Sequence, residues 1–191
     1  MKDSQRNIRL ETISLKDIDH VMTWINDPDV IKNFQNFDRE ISRDEELKFL
    51  SGIIASPVYH IFSLFDADSN VYVGQGGINA IAPKNHLGRL SIFIRKDMQH
   101  QGYGRAAILA ILRRAFEELH LNKVWLVVFE SNQRSTELYR RLGFEIEGLL
   151  KEEYYLNGQY ENLVRMGMLK SSFFNRYGQA STLSVFPGSP S

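Results

Sequence analysis

Hydrophobic positions along the chain change period several times, and each change marks an element. Ile8 and Leu10 alternate as in a strand running from Ile8 towards Ser14, after which Ile18, Val21, Met22 and Ile25 fall on one helix face. Asn26-Asp27-Pro28 stops that helix, because the residue before proline avoids the helical region and asparagine and aspartate favour turns. After a loop, Ser42 and Glu45 form a capping box, and Leu47, Leu50 and Ile54 carry a second helix over about 43 to 55. Tyr59 to Phe65, Val71 to Ile81 and Arg89 to Arg95 are β-branched and aromatic runs separated by polar connections, which predicts three consecutive antiparallel strands.

The period then switches. Ile108, Ile111, Leu112, Ala115, Phe116 and Leu119 share one helical stripe, with Arg113, Arg114, Glu117 and Glu118 opposite. Lys123 to Phe129 is nearly continuous apolar sequence, as in a central strand buried on both faces. A short helix from about Gln133 to Leu142 ends at Gly143, and two closing strands flank Asn157-Gly158, with Val164, Met166 and Met168 alternating inward on the second. From Ser171 onward no period is sustained, so residues 171 to 191 are expected to form a flexible tail behind a domain of residues 1 to 170. The order β-α-α-β-β-β-α-β-α-β-β describes a single α/β domain with a mixed sheet and helices on both faces.

Composition narrows the function. With no cysteine among 191 residues, thiol catalysis, disulfide scaffolds and cysteine-ligated zinc are excluded. Lys plus Arg and Asp plus Glu balance at 23 each, so no bulk field gathers polyanions and nucleic acid is disfavoured as a partner. No window reaches the roughly 18 apolar residues of a membrane span. The polar opening MKDSQRNIRLE lacks a secretion signal, and the chain is expected in the cytoplasm. His20, His60, His86, His100 and His120 show neither i, i+4 pairing nor HExxH, so no metal site is predicted.

Two stretches carry candidate chemistry. Gln99-His100-Gln101-Gly102-Tyr103-Gly104-Arg105 lies between a strand and the strongest helix, where bare amides and the helix dipole favour phosphate oxygens. The second, Asn132, Ser135, Tyr139 and Leu142-Gly143-Phe144, follows the buried strand and puts two hydroxyls four residues apart on one helix face.

Together these residues resemble the GNAT-type N-acetyltransferase superfamily. Gln99, Gly102 and Gly104 meet its Gln/Arg-x-x-Gly-x-Gly/Ala pattern, which Gln101, Gly104 and Ala106 also satisfy in a second register. The closing segment GFEIEGLLKEEYYLNGQYENLVRMGML is similar to that of the spermidine and ribosomal-protein N-terminal acetyltransferase branch. The resemblance covers about residues 6 to 170. It implies acetyl transfer from acetyl-CoA to an amine by direct attack, without metal. Pantetheine would lie along Ile92, Phe93 and Ile94, pyrophosphate would sit on the amides from Gln99 to Arg105, and Asn132 and Ser135 would also bind the cofactor. Tyr139 would protonate the departing thiolate.

Relatives often carry a glutamate where Arg89 stands, so no carboxylate base is carried over. Glu130 is the leading substitute, with Glu152, Glu153 and His86 as alternatives, and a water chain is also sufficient. Trp24, Asn26, Phe34 and Tyr154 are the expected acceptor-binding residues. They suit a small polar amine, either a polyamine or an amino sugar. A peptide N-terminus and a non-catalytic acyl-CoA-binding module are the alternatives, and a homodimer is left open.

Overall fold

The computed structural model describes residues 6–27, 39–156 and 158–178. Its strands are β1 (Ile8–Thr12), β2 (His60–Asp66), β3 (Tyr72–Ala82), β4 (Leu87–Ile94), β5 (Lys123–Phe129), β6 (Glu145–Leu156) and β7 (Gln159–Leu169). The helices, numbered here in chain order, are α1 (Ile18–Met22), α2 (Arg43–Ala55), α3 (Tyr103–Glu117), α4 (Gln133–Leu142) and α5 (Lys170–Tyr177). The strands form one sheet in the order β1-β2-β3-β4-β5-β7-β6.

Side-chain alternation gives each face its own core. Phe62, Leu64, Leu90, Val124 and Leu126 point to the face covered by α3, where Ile108, Ile111, Leu112, Ala115 and Phe116 form the buried stripe expected from the sequence, joined by Ala107. Ile61, Phe65 and Phe93 point the other way, into a second core closed by Ile18, Val21 and Trp24 from the α1 region and by Leu50 and Ile53 of α2. The Ser42 capping box forms as predicted: Ser42 Oγ accepts from Glu45 N, and a Glu45 carboxylate oxygen accepts from Ser42 N at 2.9 Å.

One strand pair sets up everything that follows. All neighbours are antiparallel except β4 and β5, whose parallel register covers only Leu87–Lys123, Gly88–Val124 and Arg89–Trp125. Past Arg89 these strands part, while β4 stays paired to β3 as far as Ile94 and β5 to β7 as far as Phe129. The sheet is therefore split open in its middle, with the edge of β4 beyond Arg89 unzipped from β5.

The end of the chain departs from expectation. Residues 170–177 are helical rather than a flexible tail: Phe173 is 1% exposed and its ring centroid lies 5.3 Å from that of Phe116. Tyr177 donates its hydroxyl to Leu142 O at 3.0 Å. Three aromatics within five residues anchor a segment too short to display a helical period. The rest of the expected tail, residues 179–191, and Asn157 of the hairpin turn lie outside the described residues.

Candidate active site

The split in the sheet leads into a cavity of about 650 Å³ bounded by β4, the segment entering α3, and α4. Ile92, Phe93 and Ile94 supply its β4 wall. On that strand Phe93 contributes its backbone, since its ring is buried in the opposite core against Trp24, with centroids 4.2 Å apart. Gln99 Nε2 donates to Ile94 O at 3.0 Å, which ties the loop to the open strand edge.

Gln99, His100, Gly102 and Gly104 line the next side. Gly102 is the N-cap of α3 at φ +91°, in the left-handed region that glycine enters without steric cost, and it offers no side-chain cap. The first-turn amides of this 15-residue helix are thus left for a ligand. At Gly104 a Cβ would lie 3.8 Å from Ile94 Cγ1, so the absent side chain keeps the helix mouth open rather than relieving a clash.

The third side is α4. Asn132, Ser135 and Tyr139 all face the cavity. Asn132 Oδ1 is occupied as the helix cap, accepting from Ser135 N at 3.1 Å. Tyr139 is wedged edge-on against Phe144, with centroids 5.6 Å apart. Burial pushes its phenol up to about 12, so it keeps its proton at neutral pH. The cavity therefore combines two helix N-termini, an unpaired strand edge and a protonated phenol.

Some expected residues fall outside it. The Tyr103 side chain turns into the protein, donating to Asp66 Oδ2 at 2.8 Å beneath the guanidinium of Arg6. Hydrogen bonds from Ser69 and Tyr103 hold the Asp66 carboxyl down to about 2. Gln101 donates to Asp97 O at 2.7 Å and its own carbonyl accepts from Arg6 Nε at 3.1 Å, while Arg105 is exposed; neither side chain lines the cavity. None of these three residues brings a side chain to the cavity.

Glu130 is likewise outside the lining: its carboxylate accepts from Asn162 Nδ2 at 2.8 Å, and Asn162 Oδ1 accepts from the amide of Glu152. It pins the irregular stretch of β6 between Leu150 and Tyr154. Burial pushes the Arg89 guanidinium below its ordinary value, and its Cζ lies 5.7 Å from the Trp125 ring centroid.

The expected acceptor residues are more scattered than the sequence suggested. Trp24 is a core residue whose Nε1 donates to Tyr72 Oη at 3.2 Å, and it borders a separate pocket of about 330 Å³ with Phe93, Asp27 and Arg95. Both ends of the Asn26 amide bind the backbone of Ile41, at 2.9 and 2.8 Å, so the side chain clasps the chain just before α2 to the end of the α1 region. The Tyr154 ring stands edge-on to Phe129 at 5.6 Å. Phe34 lies outside the described residues.

Sequence reasoning missed Ile108, Arg134, Glu137, Leu138 and Arg141, all in the cavity wall. Their signal was the helical spacing itself, since Leu138 follows Ser135 by three residues and Arg134, Glu137 and Arg141 form a second row. Arg134 lies against the His100 ring, with Nη1 3.1 Å from Nε2, and bridges the mouth between α4 and the α3 loop. Among the described residues no group of three or more metal-ligating side chains converges, and no helix is long and apolar enough to cross a membrane.

Residues 7–145 match a family described as acetyltransferase (GNAT) domain. Spermidine N(1)-acetyltransferase of Escherichia coli K12 is 31% identical over 102 residues, 52% of this chain and 55% of that protein; the chain thus spans about half the length of this curated relative. A spermidine N-acetyltransferase from Vibrio cholerae in complex with CoA and spermine superimposes with a TM-score of 0.83 at 27% identity, covering 90% of this chain and 99% of that one. A dodecameric structure of the Vibrio cholerae enzyme gives a TM-score of 0.78 at 26% identity over 91% and 99% of the two chains.

Proposed function

Because the chain belongs to the acetyltransferase (GNAT) family, we propose that it moves the acetyl group of acetyl-CoA to a primary amine of a small polar acceptor, a polyamine. The observation that carries this reading is the parting of β4 and β5 past Arg89, which leads into the cavity between the α3 and α4 N-termini.

Acetyl-CoA, when bound, supplies an activated thioester carbonyl. The uncapped first turn of α3 holds phosphate oxygens through the amides of Tyr103, Gly104 and Arg105. Arg134 adds positive charge at the same mouth. The unzipped edge of β4 offers backbone hydrogen bonds to an amide-bearing arm, much as a further strand would. Tyr139, kept protonated by burial, donates its phenolic proton to the leaving sulfur.

No carboxylate stands at the start of β4, and Glu130 is committed to Asn162. The amine therefore enters as the free base, one proton already lost to solvent; the N–H proton that it sheds on becoming the amide returns through water to the Tyr139 oxygen that has protonated the thiolate, and orientation rather than a base supplies the acceleration. The relatives that acetylate spermidine favour a polyamine over an amino sugar. We further assign the protein to the cytoplasm and to a homo-oligomer built on a dimer, a state that light scattering after size exclusion measures.

The test is release of CoA thiol from acetyl-CoA in the presence of polyamines, amino sugars and peptides beginning with alanine or serine. Release with spermidine or spermine is expected. A kcat/KM for the peptides at least tenfold above every small amine would replace the small-molecule reading.

A further inference from the structure

The side of the sheet opposite α3 is charged at the point where the strands split. Leu90 on β4, Val124 and Leu126 on β5, and Met166 and Met168 on β7 belong to the core under α3, so alternation turns Arg89, Trp125, Arg165 and Gly167 to the other side. Arg89 and Trp125 are the last paired residues before β4 and β5 part. Two guanidiniums lie against the Trp125 ring, Arg165 Cζ 4.1 Å from its centroid and Arg89 Cζ 5.7 Å. Gly167, the register partner of Trp125, leaves room for Glu147, whose carboxylate a Cβ there would overlap. One Glu147 oxygen pairs with Lys123 Nζ, and the other lies 3.5 Å from Arg165 Nε. A single carboxylate thus holds two of the three cations, and the described residues at the apex of the split are net positive.

Other elements bring polar and charged groups to this side, each engaged or set apart. Asn79, the partner of Arg89 on β3, is neutral and donates to Ser91 Oγ at 2.9 Å. Arg95, at the end of β4, is held by Asp97 at 2.7 Å, and the His20 ring is stacked on Tyr72. Glu130 accepts from Asn162, while Glu161 is four residues beyond Arg165 on β7, about 13 Å along the strand. Glu145 on the edge strand is exposed, and at the far edge Arg9 and Glu11 pair with each other at 2.6 Å. Glu46, which α2 turns into the second core, is 4% exposed, and burial alone pushes its carboxyl up, so no cation stands beside it.

The cofactor cavity lies on the α3 side, walled by Ile92 and Ile94, so an acceptor that attacks through the split arrives from the side of Arg89. The first open position there is Ser91, two residues past Arg89 and about 7 Å along the strand. That is inside the ~8 Å screening length at physiological ionic strength, and the indole and the strands around it screen less than water does. A fixed cation at this range disfavours a second positive charge and so favours the neutral amine, while the guanidinium keeps its own proton. We propose that the positive apex formed by Arg89 with Arg165 acts on the acceptor in place of a base, driving the proton of the incoming ammonium to bulk water so that the reacting nitrogen reaches the split neutral. The assignment rests on the amine-acetyltransferase reading and deepens it. It also gives a polyamine its direction, since the distal ammonium groups keep away from the apex.

The experiment is single-turnover release of CoA thiol at saturating spermidine, with enzyme in excess of acetyl-CoA, followed from pH 6 to 10. The saturated rate reports the ionisation of the bound acceptor, whereas kcat/KM reports that of the free one. In wild type the midpoint of the saturated rate is expected about one pH unit or more below that of kcat/KM. Arg89→Gln should raise the saturated midpoint by about one unit and leave that of kcat/KM in place, and Arg89→Lys, which keeps the charge, should restore it. Coincident midpoints in wild type, or an Arg89→Gln protein that is slower at every pH with its midpoint unmoved, would overturn the proposal and leave Arg89 a packing residue. If Arg89→Gln fails to fold by circular dichroism, Arg165→Gln, which removes a cation from the same indole, should shift the midpoint in the same direction by less, and an unmoved midpoint there overturns the proposal equally. Failure of the parent reading shows separately, as absence of thiol release from acetyl-CoA with any amine at any pH.

Discussion

Replacing Glu46 with glutamine removes a titrating group from the second core while keeping its shape. Burial raises this carboxyl from 4.5 to about 7, with no other cause contributing. A carboxyl whose folded value lies above its unfolded one binds its proton more tightly in the folded state. Its contribution to stability is therefore fully present below about pH 4.5, falls as the pH rises, and is lost above about pH 7. At about 1.36 kcal/mol per unit, the gap corresponds to about 3 kcal/mol, an upper figure since water entering a partly opened core softens it. Urea unfolding of wild type and E46Q at pH 5, 6, 7 and 8 isolates the effect, because every other titration cancels in the difference. The two proteins should be close at pH 5, and E46Q should be the more stable by about 2 kcal/mol at pH 8. Parallel curves across the range, or an E46Q protein that is weaker at pH 8, would show that the carboxylate is not held in an apolar setting.

Other outcomes follow from the cavity. Tyr139→Phe should leave acetyl-CoA affinity intact and lower kcat by roughly 10²- to 10⁴-fold, read as a split between kcat and the calorimetric Kd. Gly104→Val places methyls at the helix mouth beside Ile94, so acetyl-CoA binding should weaken more than tenfold while the melting temperature changes little. Tyr103→Phe loses the hydrogen bond that seats the α3 loop on Asp66 and frees that carboxyl to titrate nearer its usual range. Asp66 contributes stability above about pH 3.8 that is lost as the pH falls towards 2, so the variant should unfold at a higher pH on acid titration and bind acetyl-CoA several-fold more weakly. With the amine entering as the free base, kcat/KM should climb with pH up to the acceptor's own pKa and follow the acceptor when a less basic amine is used; a plateau fixed by the enzyme would identify a protein base.

The chain dictated much of this locally. The stripe from Ile108 to Phe116, the continuous apolar run of β5, the Ser42–Glu45 capping box and the Gly143 stop of α4 each follow from spacing or backbone preference within a dozen residues, and such signals survive in a one-dimensional reading. That Gln99, Gly102 and Gly104 line a cavity was legible for the same reason, since it required only glycines at a strand-to-helix junction. Short, context-dependent pieces were not legible: α5 owes its order to Phe173 packing on Phe116, a partner 57 positions earlier in the chain.

Direction of side chains and the meeting of distant elements belonged to the tertiary structure. Tyr103 and Asn26 have the chemistry of ligand-binding groups, yet one is drawn inward by Asp66 and the other is consumed by Ile41, choices settled by which unsatisfied group lay within reach. Arg134 becomes part of the mouth only because β5 delivers α4 beside His100. Ser63 and Gln75 look unremarkable twelve residues apart, and become a buried, unsatisfied pair through the β2–β3 register. Periodicity encodes which face of an element is apolar; what that face meets, and which polar atoms are left without partners, is fixed only when the strands pair and the helices close over them.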